Sequence, residues 1–533
     1  MAEEVLQDAN PINTPNSADS TQAVQAQAPT PLLNPTFPYP NSRRRIGDYQ
    51  YFMRLFMGEH FEAFNVRIGD DRYTREYGKL RYVMVNFAGL ISKVVADMLF
   101  SEPPTFEDPD GNKENQKYLD ALVRENNLHT QNYESALSNS AQGDALYKIR
   151  IGERNPGDGK PTVIIEDITP GIYFPQVDGF NVRAEPEVKE LAWTFWKGNT
   201  KYLRKEIHRI GSIENQVWSM ENDKIMTKQN ISILGDPELK EFEETKIDRS
   251  LIIHVPNWKT GNRYFGISDY QDLDKLFYAT NNRMTKIDNI LDKHSDPILM
   301  VPPGVLNEKG EVKKKALGVI EIGDEANGGK PEYIIWDASL ENAFKEIDKL
   351  VEFMFMVGEI SPDVLGMGQG QADSGRALKL KILRTIAKVA RKKLYYDRAL
   401  KEVLYVAMLV AKNHGVKVDG MSAPTPFYPH IEWQDGLPQD MAEQVDIEQK
   451  RLDAGNTSIV DSIVRLDGVD EETAKKKAKE IKDENAIELP KSNLGGEFGP
   501  GGNVNANADA GGKNNDNKGA SPTDVGKGQN TQK

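Results

Sequence analysis

Between Gly358 and Leu404 a glycine-rich loop, GEISPDVLGMGQGQADSG, runs directly into a long basic helical pattern, RALKLKILRTIAKVARKKLYYDRALKEVL. Leu378, Ile382, Ile386, Val389 and Leu394 recur at near-helical spacing, while Lys381, Arg384, Lys388 and Arg391 form a second stripe turned away from them. Ser374 supplies a helix cap, and no proline interrupts the run until well past Ala411. The loop carries Pro362 and Gly366, Gly368, Gly370 and Gly375, so it is expected neither to extend the helix nor to hold one rigid shape.

At 533 residues the chain exceeds one ordinary domain, and its 38% hydrophobic content supports a core once the ends are discounted. Residues 1–47 and 487–533, rich in small and polar residues without periodicity, are expected to be disordered. There is no cysteine, which removes disulfides and cysteine-ligated metal sites. The opening MAEEVLQDAN lacks the layout of a signal peptide, and the longest apolar run, Val403 to Ala411, is too short to span a bilayer. A soluble protein with no membrane partner is expected. The net charge of −14 argues against a surface that grips nucleic acid everywhere, but not against a conduit in which a duplex slides.

The ordered chain reads as α+β. Asp48 to Phe100 holds two helices, YQYFMRLFMGEHFEAF and VMVNFAGLISKVVADMLF, the second stopped by Pro103 and Pro104. A turn and helix follow, then NYESALSNSAQGDALYKIRI passes from helix to strand at Gly143 and Asp144, and Thr162 to Pro256 reads mostly as sheet. Gly266 to His294 reads as a helix of ~40 Å, capped by Ser268 or Asp269, with Leu273, Leu276, Phe277, Met284, Ile287 and Leu291 on one side. A β-rich knob, Ser295 to Ala338, and a second helix, Leu340 to Val357, lead to the loop. After the basic helix come a strand and turn, then a helical bundle broken at Gly455 and Gly468.

This order of parts resembles the portal proteins of tailed double-stranded-DNA bacteriophages. YFMRLFMGEH, NFAGLISKVVADMLFSEPP and AQGDALYKIRI look like the family's early helices and first strand; HVPNWKTGNRYFGISDYQDLDKLFYATNNRM looks like the approach to its first stem helix. GEISPDVLG followed by DSGRALKLKIL looks like its tunnel loop entering the long wing helix. The resemblance covers roughly Tyr49 to Ala486. It implies a wing over 48–266, stem helices over 267–294 and 339–357, a clip over 295–338 and a tunnel loop over 358–375. The long helix and a wing strand would occupy 376–436, and a helical crown 437–486. It further implies a homo-oligomeric ring, twelve subunits in the family pattern, at one capsid vertex of a virion assembled in the host cytoplasm. Double-stranded DNA in the channel, terminase, head-completion or adaptor proteins, and the major capsid and scaffolding proteins are the implied partners. Roughly twelve helices packed 8 to 10 Å apart close a ring of radius ~18 Å and bore ~26 Å, wide enough for a duplex.

On this reading Met367, Gln369, Gln371 and Ser374 face the channel, uncharged where fixed cations would hold DNA at every step. Lys381, Arg384, Lys388 and Arg391 are a candidate channel or intersubunit basic face, with a solvated helix face as the plainer account. Lys313, Lys314 and Lys315 are candidate docking residues in the clip. Stem faces including Phe277, Met284, Phe353 and Phe355 exceed what a two-helix hairpin buries, so neighbouring subunits are expected to cover them. GMGQGQ lacks both a preceding strand and a following Lys-Ser/Thr, so it does not match a phosphate-binding loop. Asp108, Asp110, Asn112 and Glu114 depart from the calcium-loop register and read as a turn. The histidines show no metal-ligand spacing, and no catalytic constellation, metal or cofactor is expected. The remaining alternatives are another oligomeric virion scaffold that never meets DNA, or a DNA-processing nucleotidase using the glycine-rich loop.

Overall fold

The computed structural model describes residues 35–68, 82–155, 157, 159–237, 239–295, 298–300, 314–315, 319–320, 332–334, 340–368, 375–434 and 441–487. The chain divides into two compact units, Met1–Asp440 and Met441–Lys533. Helix and sheet are mixed in the first, and the described part of the second is helical.

In the first unit the early helices are α1 (Arg43–Met57), α2 (His60–Ile68), α3 (Phe87–Phe100), α4 (Lys113–Glu125) and α5 (Leu128–Gln142). The first apolar pattern, expected as one helix, is two, because Gly58 at φ +84° lets the chain turn out of α1. Residues 35–47 do not belong to a disordered arm: Phe37 and Tyr39 stack edge-on and both pack on Phe174, and Thr36 bridges to Lys224. Two aromatics one residue apart leave no periodic trace in sequence, yet they bury enough area to hold the segment down. The acidic stretch before α4 is a turn and cap. Asp108 accepts from the N–H of Asn112 at 2.8 Å, and Asn112 Oδ1 accepts from Glu114 N–H at 2.9 Å.

A short strand, β1 (Thr105–Glu107), pairs antiparallel with His430–Glu432, and two larger antiparallel sheets follow. β2 (Asp144–Glu153) is central in the first, flanked by β3 (Pro161–Ile168) and by β10 (Ile252–Pro256). The second is a meander of β4 (Tyr173–Pro175), β5 (Val188–Lys197), β6 (Thr200–Arg209), β7 (Ser212–Glu221) and β8 (Lys224–Gln229), with β9 (Phe242–Glu244) added on β7. Asn222 and Asp223 both take positive φ between β7 and β8, the two-residue turn whose twist matches a hairpin. Past the glycine-rich loop, the short α8 (Gly375–Lys381) precedes the long helix α9 (Leu383–His414), which lies across β10, β2 and β3 and against α3. Its buried face includes Val389, Tyr396, Leu400, Val403 and Leu404, in one core with α3, α4 and β2.

α6 (Asp274–Ser295) and α7 (Leu340–Gly358) pack together, joined by Arg283 to Glu346 at 2.8 Å. Between them Ile298–Met300 pairs with Glu332–Ile334 and Lys314–Lys315 with Val319–Ile320, both antiparallel. α6 begins at Asp274, eight residues after Gly266, which shortens it to ~33 Å, because Ser268 and the Asp269 side chain are drawn into the interior, where the Ser268 hydroxyl accepts from Tyr270 N–H ahead of the helix. Phe277 and Phe355 are buried within the same chain, against Tyr270 and Phe87 respectively, whereas Phe353 stays exposed. Met284 is half-buried.

In the second unit α10 (Met441–Asp453), α11 (Ile459–Asp467) and α12 (Glu471–Ile487) are separated at Gly455 and Gly468. Ser458 and Asp461 form a reciprocal capping box on α11, and Glu448 receives Arg465 through two nitrogens at 3.0 and 2.9 Å.

One close backbone approach joins the start of β2 to the chain entering α6. Gly143 C=O accepts from Asn257 N–H at 2.8 Å, and Gly266 N–H donates to Asp144 Oδ1 at 2.7 Å. A Cβ on Gly266 would fall on the Gly143 carbonyl. Gly266→Ala should therefore destabilise the fold by about 1–3 kcal/mol, read as a lowered thermal midpoint; an unchanged midpoint would show that this junction yields.

Candidate functional site

The glycine-rich loop leaves the end of α7, so its geometry is set at Gly358. Its first half is pinned. Ile360 N–H donates to Phe355 C=O at 3.0 Å, and Ser361 N–H donates to Thr385 Oγ1 on α9 at 2.7 Å. Ser361 Oγ reaches Lys381 C=O at 3.1 Å, and a short 3-10 turn, Pro362–Leu365, closes with Met367 N–H on Pro362 C=O at 3.0 Å. The expected shapelessness does not hold for residues 359–368, because Ser361 N–H finds Thr385 on α9, Ile360 N–H finds the end of α7, and the turn closes on its own carbonyls. Met367 is exposed; Gln369, Gln371 and Ser374 lie outside the described residues. The helix after them comes in two pieces, α8 (Gly375–Lys381) and α9, parted at Ile382.

Glu359 is the residue that α9 grips. It sits at φ +56°, a left-handed conformation that costs a non-glycine residue about 1–2 kcal/mol. Arg384 meets its carboxylate at 2.8 Å and Arg391, about two turns on, holds the other oxygen. Lys381 stands 3.6 Å from Asp363. Three members of the expected basic face thus have partners inside their own chain, at the loop root.

Lys388, the fourth, is not on that face at all. It is 5% exposed, and its Nζ donates to the Gly358 C=O at 2.8 Å and stands 3.3 Å from Asp269. Lys392, one turn further, lies 2.7 Å from the other Asp269 oxygen and also donates to Asn257 Oδ1. Ser140 Oγ at 2.7 Å and Asn257 Nδ2 at 3.1 Å complete the shell of Asp269. One buried carboxylate therefore ties α5, the turn before α6, the end of α7 and α9 together. Burial alone would raise the Asp269 pKa, but Lys388 and Lys392 together hold it well below the usual carboxylate range. Burial pushes Lys392 down to about 8 in spite of Asp269.

The spacing argument missed this cluster because it drew the apolar stripe through Leu394, which is exposed. The buried face runs Ile382, Thr385, Lys388, Val389, Lys392, Tyr396. Two lysines four apart beside Val389 and Tyr396 were the available signal, since a cation on a core face needs a buried partner. Between α6 and α7, Lys313 lies outside the described residues, and Lys314–Lys315 form a strand paired with Val319–Ile320. Among the described residues no group of three or more His, Asp or Glu is placed to hold a metal ion.

Asp269→Asn would leave two lysines buried against a neutral amide and should cost about 3–5 kcal/mol in urea unfolding. Because the folded pKa of Asp269 is depressed, its contribution is present above the ordinary carboxylate pKa and is lost as pH falls below it; the asparagine variant should lack that acid limb. Lys392 gives the alkaline counterpart. With a folded pKa near 8 against 10.5 unfolded, the unfolded chain binds more protons between those values, so stability from this group rises with pH there. The difference in unfolding free energy between wild type and Lys392→Met should therefore grow from pH 8 to 10.5, and a flat difference would contradict the assignment.

A family model described as phage portal protein, SPP1 Gp6-like, matches residues 39–488. No curated protein matches. Among solved structures, the neck of an empty GTA particle computed with C6 symmetry aligns at 11% identity and a TM-score of 0.39, covering 71% of this chain and 89% of that one. The virion of a native gene transfer agent particle aligns at 13% identity and 0.40, covering 79% and 93%. Both likenesses are too distant to bear on individual residues or on assembly. The family model runs from Tyr39 to just past the end of α12, and the chain belongs to the SPP1 Gp6-like family of phage portal proteins.

Proposed function

We propose that the chain is the subunit of a ring at one capsid vertex through which double-stranded DNA is packaged and ejected, with no catalysis of its own. Family membership sets the class. The structural observation that supports a ring is on α7: Ile347, Met354 and Phe355 are buried within the chain, while Phe353, Met356 and Val357, which share a face at i, i+3 and i+4, are all more than two-fifths exposed. An apolar stripe of this kind on a rod needs a cover, and a second copy in a closed ring supplies one identically to every subunit. In this reading residues 48–266 with 376–436 form the wing, α6 and α7 the stem, 295–338 the clip, 358–375 the tunnel loop and 437–486 the crown. Terminase and later head-completion proteins dock at the clip, through Lys313 to Lys315, and capsid and scaffolding proteins surround the ring.

The loop then has a firm root and a glycine-rich tip. Arg384 and Arg391 act on DNA only indirectly, by holding Glu359 and so the direction in which Met367, Gln369 and Gln371 leave the root. Uncharged side chains at the tip touch a passing duplex without an ionic trap at each phosphate.

Electron microscopy of the purified full chain should show rings with a central hole. A monomer at micromolar concentration across varied salt would remove the reading. Shortening 366–370, or replacing Gln369 and Gln371 by Lys, should leave rings intact and lower the yield of full-length packaged DNA. Normal packaging and retention by such variants would reduce the loop to a linker.

A further inference from the structure

α8 and α9 carry an apolar ridge that stays open to solvent. Leu383, Ala387, Ala390 and Leu394 recur at i, i+4, i+7 and i+11, and Leu380 continues the row on the last turn of α8. Leu380, Leu383 and Leu394 are each more than half exposed. The ridge lies on the side of α9 opposite Lys388, Lys392 and Tyr396, so it faces away from the core. Between Leu383 and Leu394 the two alanines leave a saddle into which a bulky side chain fits.

Arg384, Arg391 and Arg398, seven apart, border this ridge in one row. Two ridges set against each other would bring like charges together, so the ridge is not its own partner. α7 offers the opposite sign: Glu341, Glu346, Asp348 and Glu352 outnumber Lys345 and Lys349 along it. Its uncovered face, Phe353, Met356 and Val357, supplies bulky side chains where the ridge has a saddle. Ridge and face also stand at one level of the molecule. The Gly358 carbonyl, next to Val357, accepts from Lys388, which lies between Leu383 and Leu394 in the helix. Two uncovered faces on one chain, unlike in shape and opposite in charge, are what a head-to-tail contact requires, and such contacts close a ring when each copy turns by the same angle.

We propose that the α8–α9 ridge of one subunit packs on the α7 face of the next, with Phe353 entering the saddle at Ala387 and Ala390. The arginine row then meets the α7 carboxylates at the rim, where charges set register more than affinity. This rests on the ring reading above and adds which two surfaces meet.

The chain contains no cysteine, so introduced thiols are the only ones present. Full-length double variants joining Met356→Cys to Leu383→Cys, or Phe353→Cys to Leu394→Cys, are assembled and then treated with oxidised glutathione. At least one pair should give a ladder of covalent multimers above the dimer, reversed by reductant, where each single variant gives dimers at most. Leu394→Glu changes a side chain that is exposed in the single subunit, so it should keep the circular dichroism of a folded chain. Its ring fraction in sedimentation should fall about tenfold or more. If Leu394→Glu fails to fold, the cross-links decide alone. Rings seen by microscopy with neither pair cross-linking, or Leu394→Glu rings at the wild-type fraction, would overturn this seam and leave the ring standing. Monomers in the wild type would remove the ring and the seam with it.

Discussion

Asp269 carries an almost wholly buried carboxylate, and its ionised state is tolerable only because Lys388 and Lys392 approach it from one face of α9. That requirement fixes several elements at once. α9 must present the two lysines, one turn apart, to the turn that precedes α6. α5 must supply Ser140, and α7 must end where Gly358 can offer its carbonyl to Lys388. A partner removed from such a cluster strands a charge, so the cluster acts as a registry device: α9 cannot slide or rotate by a residue without breaking it.

The same helix converts an apparent surface charge pattern into internal wiring. Arg384 and Arg391 extend from α9 to Glu359, whose left-handed backbone is the first departure from α7. The direction of the loop is therefore decided on α9, and the 3-10 turn at Pro362–Leu365 carries it outward to Met367. Between the buried cluster and this paired surface, the loop has a fixed root over residues 359–368. Around Asp269 the excess lysine charge is absorbed by the Gly358 carbonyl and by Asn257 Oδ1.

Local pattern carried the elements whose cause is local. The meander of β5 to β8 follows from alternating residues and turn dipeptides, α11 from Ser458 and Asp461, and the division of the second unit from Gly455 and Gly468. The order of helices, sheets and loop was also legible, and with it the family. What sequence could not supply was the partner of each charge. Lys388 and Arg391 are three residues apart on one helix and similar in kind, yet one is buried on Asp269 and the other lies outside on Glu359. Their roles depend on carboxylates 119 and 32 positions away in the chain, brought near only when α6, α7 and α9 pack. Periodicity reports which residues share a face; it holds no information on what stands opposite that face, and that is what the tertiary structure decided.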